Sequence, residues 1–147
     1  MKPSVCSLAI LAVSVFTVTC VSPVLGATNV SGRIELLPPP ESLPPNSFLT
    51  IQVADTSRAD AAATVVVSVQ QPITDVYNSD HELTYSLFLP EGQRGPLTVS
   101  AWLNVGWQST PVDRIHRGDY LTTSHFGFDA SPSRSSYRVN LSLKRYD

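Results

Sequence analysis

In Leu97-Thr98-Val99-Ser100-Ala101-Trp102-Leu103 the apolar residues Leu97, Val99, Ala101 and Leu103 alternate with Thr98, Ser100 and Trp102. A period of two is the mark of a strand with one face on a core and the other in water. The same period runs through most of the chain. Leu49, Ile51 and Val53 alternate with Thr50, Gln52 and Ala54. Leu83, Tyr85, Leu87 and Leu89 alternate with Thr84, Ser86 and Phe88, and Tyr137, Val139, Leu141 and Leu143 with Arg138, Asn140, Ser142 and Lys144. Thr64 to Val69 is a β-branched run that reads as a buried strand. Val30 to Leu36 and Tyr120 to Phe126 are weaker strands. Turn residues separate these segments at Pro38-Pro39-Pro40, Pro44-Pro45-Asn46, Tyr77-Asn78-Ser79-Asp80, Pro90-Glu91-Gly92, Arg117-Gly118-Asp119 and Ser131-Pro132-Ser133. About seven short strands at this spacing predict an all-β chain, a single antiparallel β-sandwich. A helical turn is expected only over the Ala-rich 57–63 segment.

The flanks and the composition set the compartment. Residues 1–26 read as a secretory signal peptide: Lys2 supplies the positive start, Val5 to Val18 carry no charge, and Pro23 and Gly26 mark the exit before Ala27. The β-domain is then 27–147, with no stable membrane span once the leader is cleaved. The alternative is a retained anchor, since Val5 to Leu25 is just long enough to cross a bilayer. Both cysteines, Cys6 and Cys20, fall inside the leader. The mature chain therefore has neither a disulfide nor a cysteine nucleophile or ligand. Lipidation at Cys20 is a further option, but Thr17-Val18-Thr19 is a poor lipobox. The sequons Asn29-Val30-Ser31 and Asn140-Leu141-Ser142 are candidate N-glycosylation sites, and they bear on function only in a chain that passes through an ER.

The full chain carries a net charge of −2. Lys2 and Lys144 are its only lysines and its eight arginines are scattered, so it lacks the basic stripe that nucleic acid requires. Catalytic patterns are missing too. His81, His116 and His125 have no metal-ligand spacing, no G-x-S-x-G elbow occurs, and Glu35, Glu82, Asp113 and Asp119 cannot be paired from sequence. Solvated histidines and no metal, cofactor or catalytic residue are the expectation. Arg117-Gly118-Asp119 spells the integrin-recognition tripeptide, which three residues recover often by chance; a turn and a strand entry account for it. Trp102, on the outward face of its strand, and Trp107, in the loop after it, could join Phe126 and Phe128 in an exposed aromatic patch that contacts a partner or a sugar. The opposing reading is a small apolar layer beneath the 104–118 loop.

Leu36-Leu37-Pro38-Pro39, followed by Leu49-Thr50-Ile51-Gln52-Val53-Ala54-Asp55-Thr56-Ser57-Arg58-Ala59-Asp60-Ala61, resembles the opening of the YbaY/YscW family of small bacterial envelope lipoproteins. Leu97-Thr98-Val99-Ser100-Ala101 and Gly118-Asp119-Tyr120-Leu121-Thr122-Thr123 resemble it as well. The likeness spans roughly residues 30 to 128, and its most specific part is Asp55, Ser57, Arg58, Ala59 and Asp60. It implies a β-sandwich without catalysis and a pilotin-like role, that of a small chaperone escorting an outer-membrane secretin. The chain departs from the family in its poor lipobox and in a longer, more aromatic 102–115 stretch. Independently of any family, Asp55 and Ser57 at a strand exit are the residues that form Asx and ST turns. The resulting expectation is a non-enzymatic, extracytoplasmic module that binds a protein partner. The alternative is a small-molecule or carbohydrate-binding sandwich using Trp102 and Trp107.

Overall fold

The computed structural model describes residues 28–58, 61–77 and 82–147. The leader with Cys6 and Cys20, the motif residues Ala59 and Asp60, and His81 lie outside the described residues. Among the described residues nine strands follow in order: β1 (Thr28–Leu37), β2 (Phe48–Asp55), β3 (Thr64–Pro72), β4 (Leu83–Leu89), β5 (Gly95–Asn104), β6 (Tyr120–Thr122), β7 (Phe126–Ala130), β8 (Ser136–Arg138) and β9 (Leu141–Arg145). The one helical turn among the described residues is α1 (Ile73–Val76), between β3 and β4. The turn expected over 57–63 is not helical at its described residues; it keeps a single closure, Ala61 N–H on the Arg58 carbonyl.

The strands form one curled half-barrel sheet in the order β3-β2-β5-β6-β9-β1-β4, with β7 also on β5 and β8 also on β1. The expected two-sheet sandwich is corrected by one seam. β3, β2 and β5 make one half, and β4 and β1 the other. Tyr120–Thr122 of β6 pairs antiparallel with Leu143–Arg145 of β9 and so hydrogen-bonds the halves into a continuous sheet. Nor is the sheet wholly antiparallel, because β8 and β9 both run parallel to β1. The alternation that marks the strands is blind to this, since it is the same whichever neighbour a strand takes.

The seam opens at its far end because two strands break. Tyr120 to Ala130 lies along one edge of β5 but is interrupted at 123–125. Ser136 to Arg145 keeps one register on β1 but is interrupted at 139–140. At the second break the Val139 carbonyl turns inward and accepts the Tyr85 hydroxyl at 2.6 Å. Only glycine fits opposite, since a Cβ on Gly32 would run into that carbonyl. The Arg33 N–H, left without a backbone partner there, donates to Asn140 Oδ1 at 3.0 Å. A side chain thus completes the ladder where the backbone has turned away.

The concave face carries the core. Val30, Ile34 and Leu36 of β1, Leu49, Ile51 and Val53 of β2, the four alternate residues of β4 and of β5, and Leu141 and Leu143 of β9 are all buried. The seam's open end is filled by the Phe128 and Tyr137 rings, 4.8 Å apart, and the Tyr137 hydroxyl accepts the Ser131 N–H.

Candidate interaction surface

The convex face is open to solvent along most of its length, with Phe88 of β4 64% exposed, and beside β5 residues 105–118 fold back over it. One carboxylate organises that loop. Asp119 is 1% exposed at the entry to β6. Its Oδ1 accepts the Val105 N–H (2.9 Å), its Oδ2 accepts the His116 N–H (2.8 Å) and Asn104 Nδ2 (3.1 Å), and Trp107 Nε1 donates to both oxygens. An ionised carboxylate has about four acceptor sites, and four N–H donors occupy them. The group closes the loop. Asn104, itself fully buried, also donates to the Arg114 carbonyl, while its Oδ1 meets no donor among the described residues.

The surrounding residues tighten the same knot. Gly118, at φ +96°, takes a left-handed turn that a side chain would strain. Its N–H bonds the Tyr146 carbonyl, and the Tyr146 N–H returns to the Asp119 carbonyl. Tyr120 reaches through the core so that its hydroxyl donates to the Pro38 carbonyl at 2.8 Å. The family-like residues Gly118, Asp119 and Tyr120 are therefore a fastening for the loop. With Asp119 buried, the Arg117-Gly118-Asp119 tripeptide does not offer its carboxylate to a receptor.

The aromatic residues do not form one patch. Trp102 lies on the convex face, half-buried, with the Arg114 guanidinium 4.8 Å from its ring centre and a long 3.4 Å bond from its indole N–H to Ser109 Oγ. Trp107 is half-buried and stacks on His116 at 3.7 Å and 10°. Each indole thus has one face already taken. Phe126 and Phe128 stand opposite Val99 and Leu97 on β5, on the concave side, and pack against the core. The two described histidines are likewise engaged: His116 Nε2 is 2.8 Å from Asp113, and His125 Nδ1 is 3.4 Å from Thr98 Oγ1. Among the described residues, no group of three or more His, Cys, Asp or Glu is placed to hold a metal ion.

The described part of the Asp55 motif is a turn. Asp55 Oδ1 accepts the Ser57 N–H at 2.8 Å, an Asx turn. That bond, and then the Ser57 hydroxyl, hold the carboxyl below the usual carboxylate range. Arg58 is exposed beside it. Of the sequon residues, Asn140 is exposed with its Oδ1 on the Arg33 N–H, whereas Asn29 directs Nδ2 to Ser86 Oγ and the Leu87 carbonyl.

The sheet's two outer strands differ. β4 buries Leu83, Tyr85, Leu87 and Leu89, each 5% exposed or less. Its first residue is bridged by Tyr77. β3 leaves Val66, Val67 and Val69 half-buried and Val65 50% exposed. Sequence reading took this run for a buried strand, because a stretch of β-branched residues looks the same at a sheet's centre and at its edge.

No family model matches the chain, and no curated protein does. Among solved structures, the chain is similar to an alternative pilotin from the type II secretion system of Vibrio cholerae, with a TM-score of 0.54 and 20% identity, covering 80% of this chain and 96% of that one. The likeness is one of fold. The chain has a pilotin-like fold, and the narrower resemblance to the YbaY/YscW family finds no matching family model.

Proposed function

We propose that this chain is a non-catalytic, extracytoplasmic assembly module that holds a protein partner, in the manner of a pilotin holding a secretin. The observation that carries the reading is the fold shared with a type II secretion pilotin along nearly that protein's whole length. The arrangement of polar groups is in keeping with it. The most buried carboxylate among the described residues, Asp119, accepts four of the chain's own N–H groups, an arrangement suited to holding a loop in place rather than to turning over a substrate. No helix among the described residues is long and apolar enough to cross a membrane.

The test is cross-linked affinity capture of the tagged full chain from cells that export it, read by mass spectrometry. Recovery of a secretin-class subunit in stoichiometric amount is the expected result. Recovery of no protein, together with glycan-array binding that disappears in Trp107→Ala, would replace this reading with a carbohydrate-binding one. The intact mass of the exported chain checks the compartment: a start at Ala27 is expected, and a mass that retains residues 1–26 would overturn cleavage. Turnover in an esterase or glycosidase panel would defeat the non-catalytic part.

A further inference from the structure

We propose that the outer edge of β3 is a strand acceptor, where an extended, uncharged segment of a partner adds to the sheet; this rests on the assembly reading above and names the surface it would use. β3 stands last in the sheet order, and among the described residues β2 is its only strand partner. Every second residue of an outer strand directs its N–H and C=O away from the sheet, a template for another backbone. Natural edges are usually blunted by lysine, by an inward charge or by an internal proline. Thr64-Val65-Val66-Val67-Ser68-Val69-Gln70-Gln71 has none of these, and Pro72 comes only at its end. One β-bulge, which leaves Val66 without a counterpart between Val53 and Ala54, is the single blunting device on this edge, and the ladder from Val67 to Pro72 is regular. The strand at the opposite edge, β4, also has one ladder partner among the described residues, β1, but Tyr77 bridges its first residue and its concave side chains are buried, whereas those of β3 are only half-buried.

The edge specifies what it would take. Unpaired backbone groups call for an extended main chain, as in strand addition to other open sheets. On the concave side the added strand would lie beside Val67 and Val69, which calls for apolar residues at alternate positions. On the convex side it would lie beside Ser68 and Gln70, whose amide is already linked to Ser109 and Gln108, which calls for small polar ones. No charged residue occurs from Thr64 to Thr74. An ionic side chain in the middle of the added strand would lose its water without gaining a partner. A second copy of this chain is the poorer occupant. A two-fold β3 pair would be about 30 Å long and would bury one narrow ribbon, short of the roughly 1,200 Å² that stable dimers need. It would also set Pro72, which has no N–H, opposite Thr64.

The probe is a capped peptide of about eight alternating threonines and valines with a short lysine tail, added to the full chain while amide exchange is followed by NMR. Slower exchange at alternate residues of 65–71, with 83–89 unchanged, is expected. The same peptide N-methylated at alternate residues is expected not to bind. Val65→Lys/Ser68→Lys, which places lysines at two exposed positions of the edge, should weaken binding about tenfold. Protection on β4, equal binding of the methylated peptide, or self-association of the chain in place of peptide binding would overturn the proposal. Capture separates it from the reading it rests on. If the double-lysine variant retains the partner as well as the wild type does, the edge is wrong and the assembly role stands. If the wild type captures nothing while the peptide still docks on β3, the assembly role is wrong and the edge stands.

Discussion

The loop closed by Asp119 and the edge strand β3 are opposite solutions to the same requirement, that buried or half-buried polar and apolar groups find partners. Around Asp119 the chain supplies the partners itself, the buried Asn104 Oδ1 excepted, with four N–H donors on one carboxylate, an indole stacked on an imidazole and a guanidinium beside a second indole. Along β3 it leaves a row of backbone groups and a set of valines incompletely covered. Saturated polar networks fix a structure and leave little over for a ligand, whereas unfinished edges are where another chain can complete the sheet. The more elaborate chemistry therefore lies in the loop, and the capacity for association in the plainer strand.

The strongest way to break this contrast is Asp119→Ala. It removes the acceptor for four donors in a buried site, and leaving such groups unpaired is expected to cost about 3–4 kcal/mol. Chemical denaturation should show it as a lower midpoint with an unchanged slope, accompanied by a red shift of Trp107 emission as the loop opens. Asp119→Asn should cost less, because it keeps one acceptor oxygen. A change of under about 0.5 kcal/mol in Asp119→Ala would mean the loop does not depend on its carboxylate.

Next in size is Tyr85→Phe, which tests the other place where the chain completes itself, the break in the β8–β9 strand. Loss of the hydroxyl leaves the Val139 carbonyl without its donor and is expected to cost about 1–2 kcal/mol. The same residue supplies a pH signature. Burial raises the Tyr85 phenol well above its ordinary value. In the unfolded chain it ionises near pH 10. Below that pH both states hold the proton and the contribution is fully present. Above it only the unfolded state releases the proton, so stability falls as pH rises. Thermal melts between pH 9 and about 11 should show a smaller alkaline loss in Tyr85→Phe than in the wild type.

The two regions were unequally legible in the sequence, for a physical reason. Strands such as Leu83–Leu89 and Leu97–Leu103 could be read because period-two alternation is written within one segment. The seam between β6 and β9, the parallel pairing on β1 and the breaks at 123–125 and 139–140 depend on which segments meet, and one segment's pattern does not carry that. Gly32 is typical: it looks like a weakness in a strand until the Val139 carbonyl is seen against it. Asp119 could be read as a strand entry but not as a hub. The available signal was a single acid closing a sixteen-residue stretch, Asn104 to Asp119, that also contains Trp107 and His116. Composition says that such a loop needs a fastening, and not which carboxylate turns inward. Phe126 and Phe128 were grouped with the tryptophans on residue type, whereas the pairing of β7 with β5 sends them to the concave face.

The smallest expected effect sharpens the comparison most. Val65→Lys/Ser68→Lys should change stability by less than about 1 kcal/mol, because both positions are exposed and neither side chain closes a polar network. Only the part of Val65 now shielded from water is given up, and a lysine stem can cover some of the same surface. The informative quantity is the ratio between this variant and Asp119→Ala in one denaturation series. A large ratio means that the fold is held by its internal fastening and is indifferent to its open edge, which leaves that edge free to change with a partner. A ratio near one would mean that β3 already carries structural weight in the isolated chain, and the distinction between a finished and an unfinished region would fail on stability grounds alone.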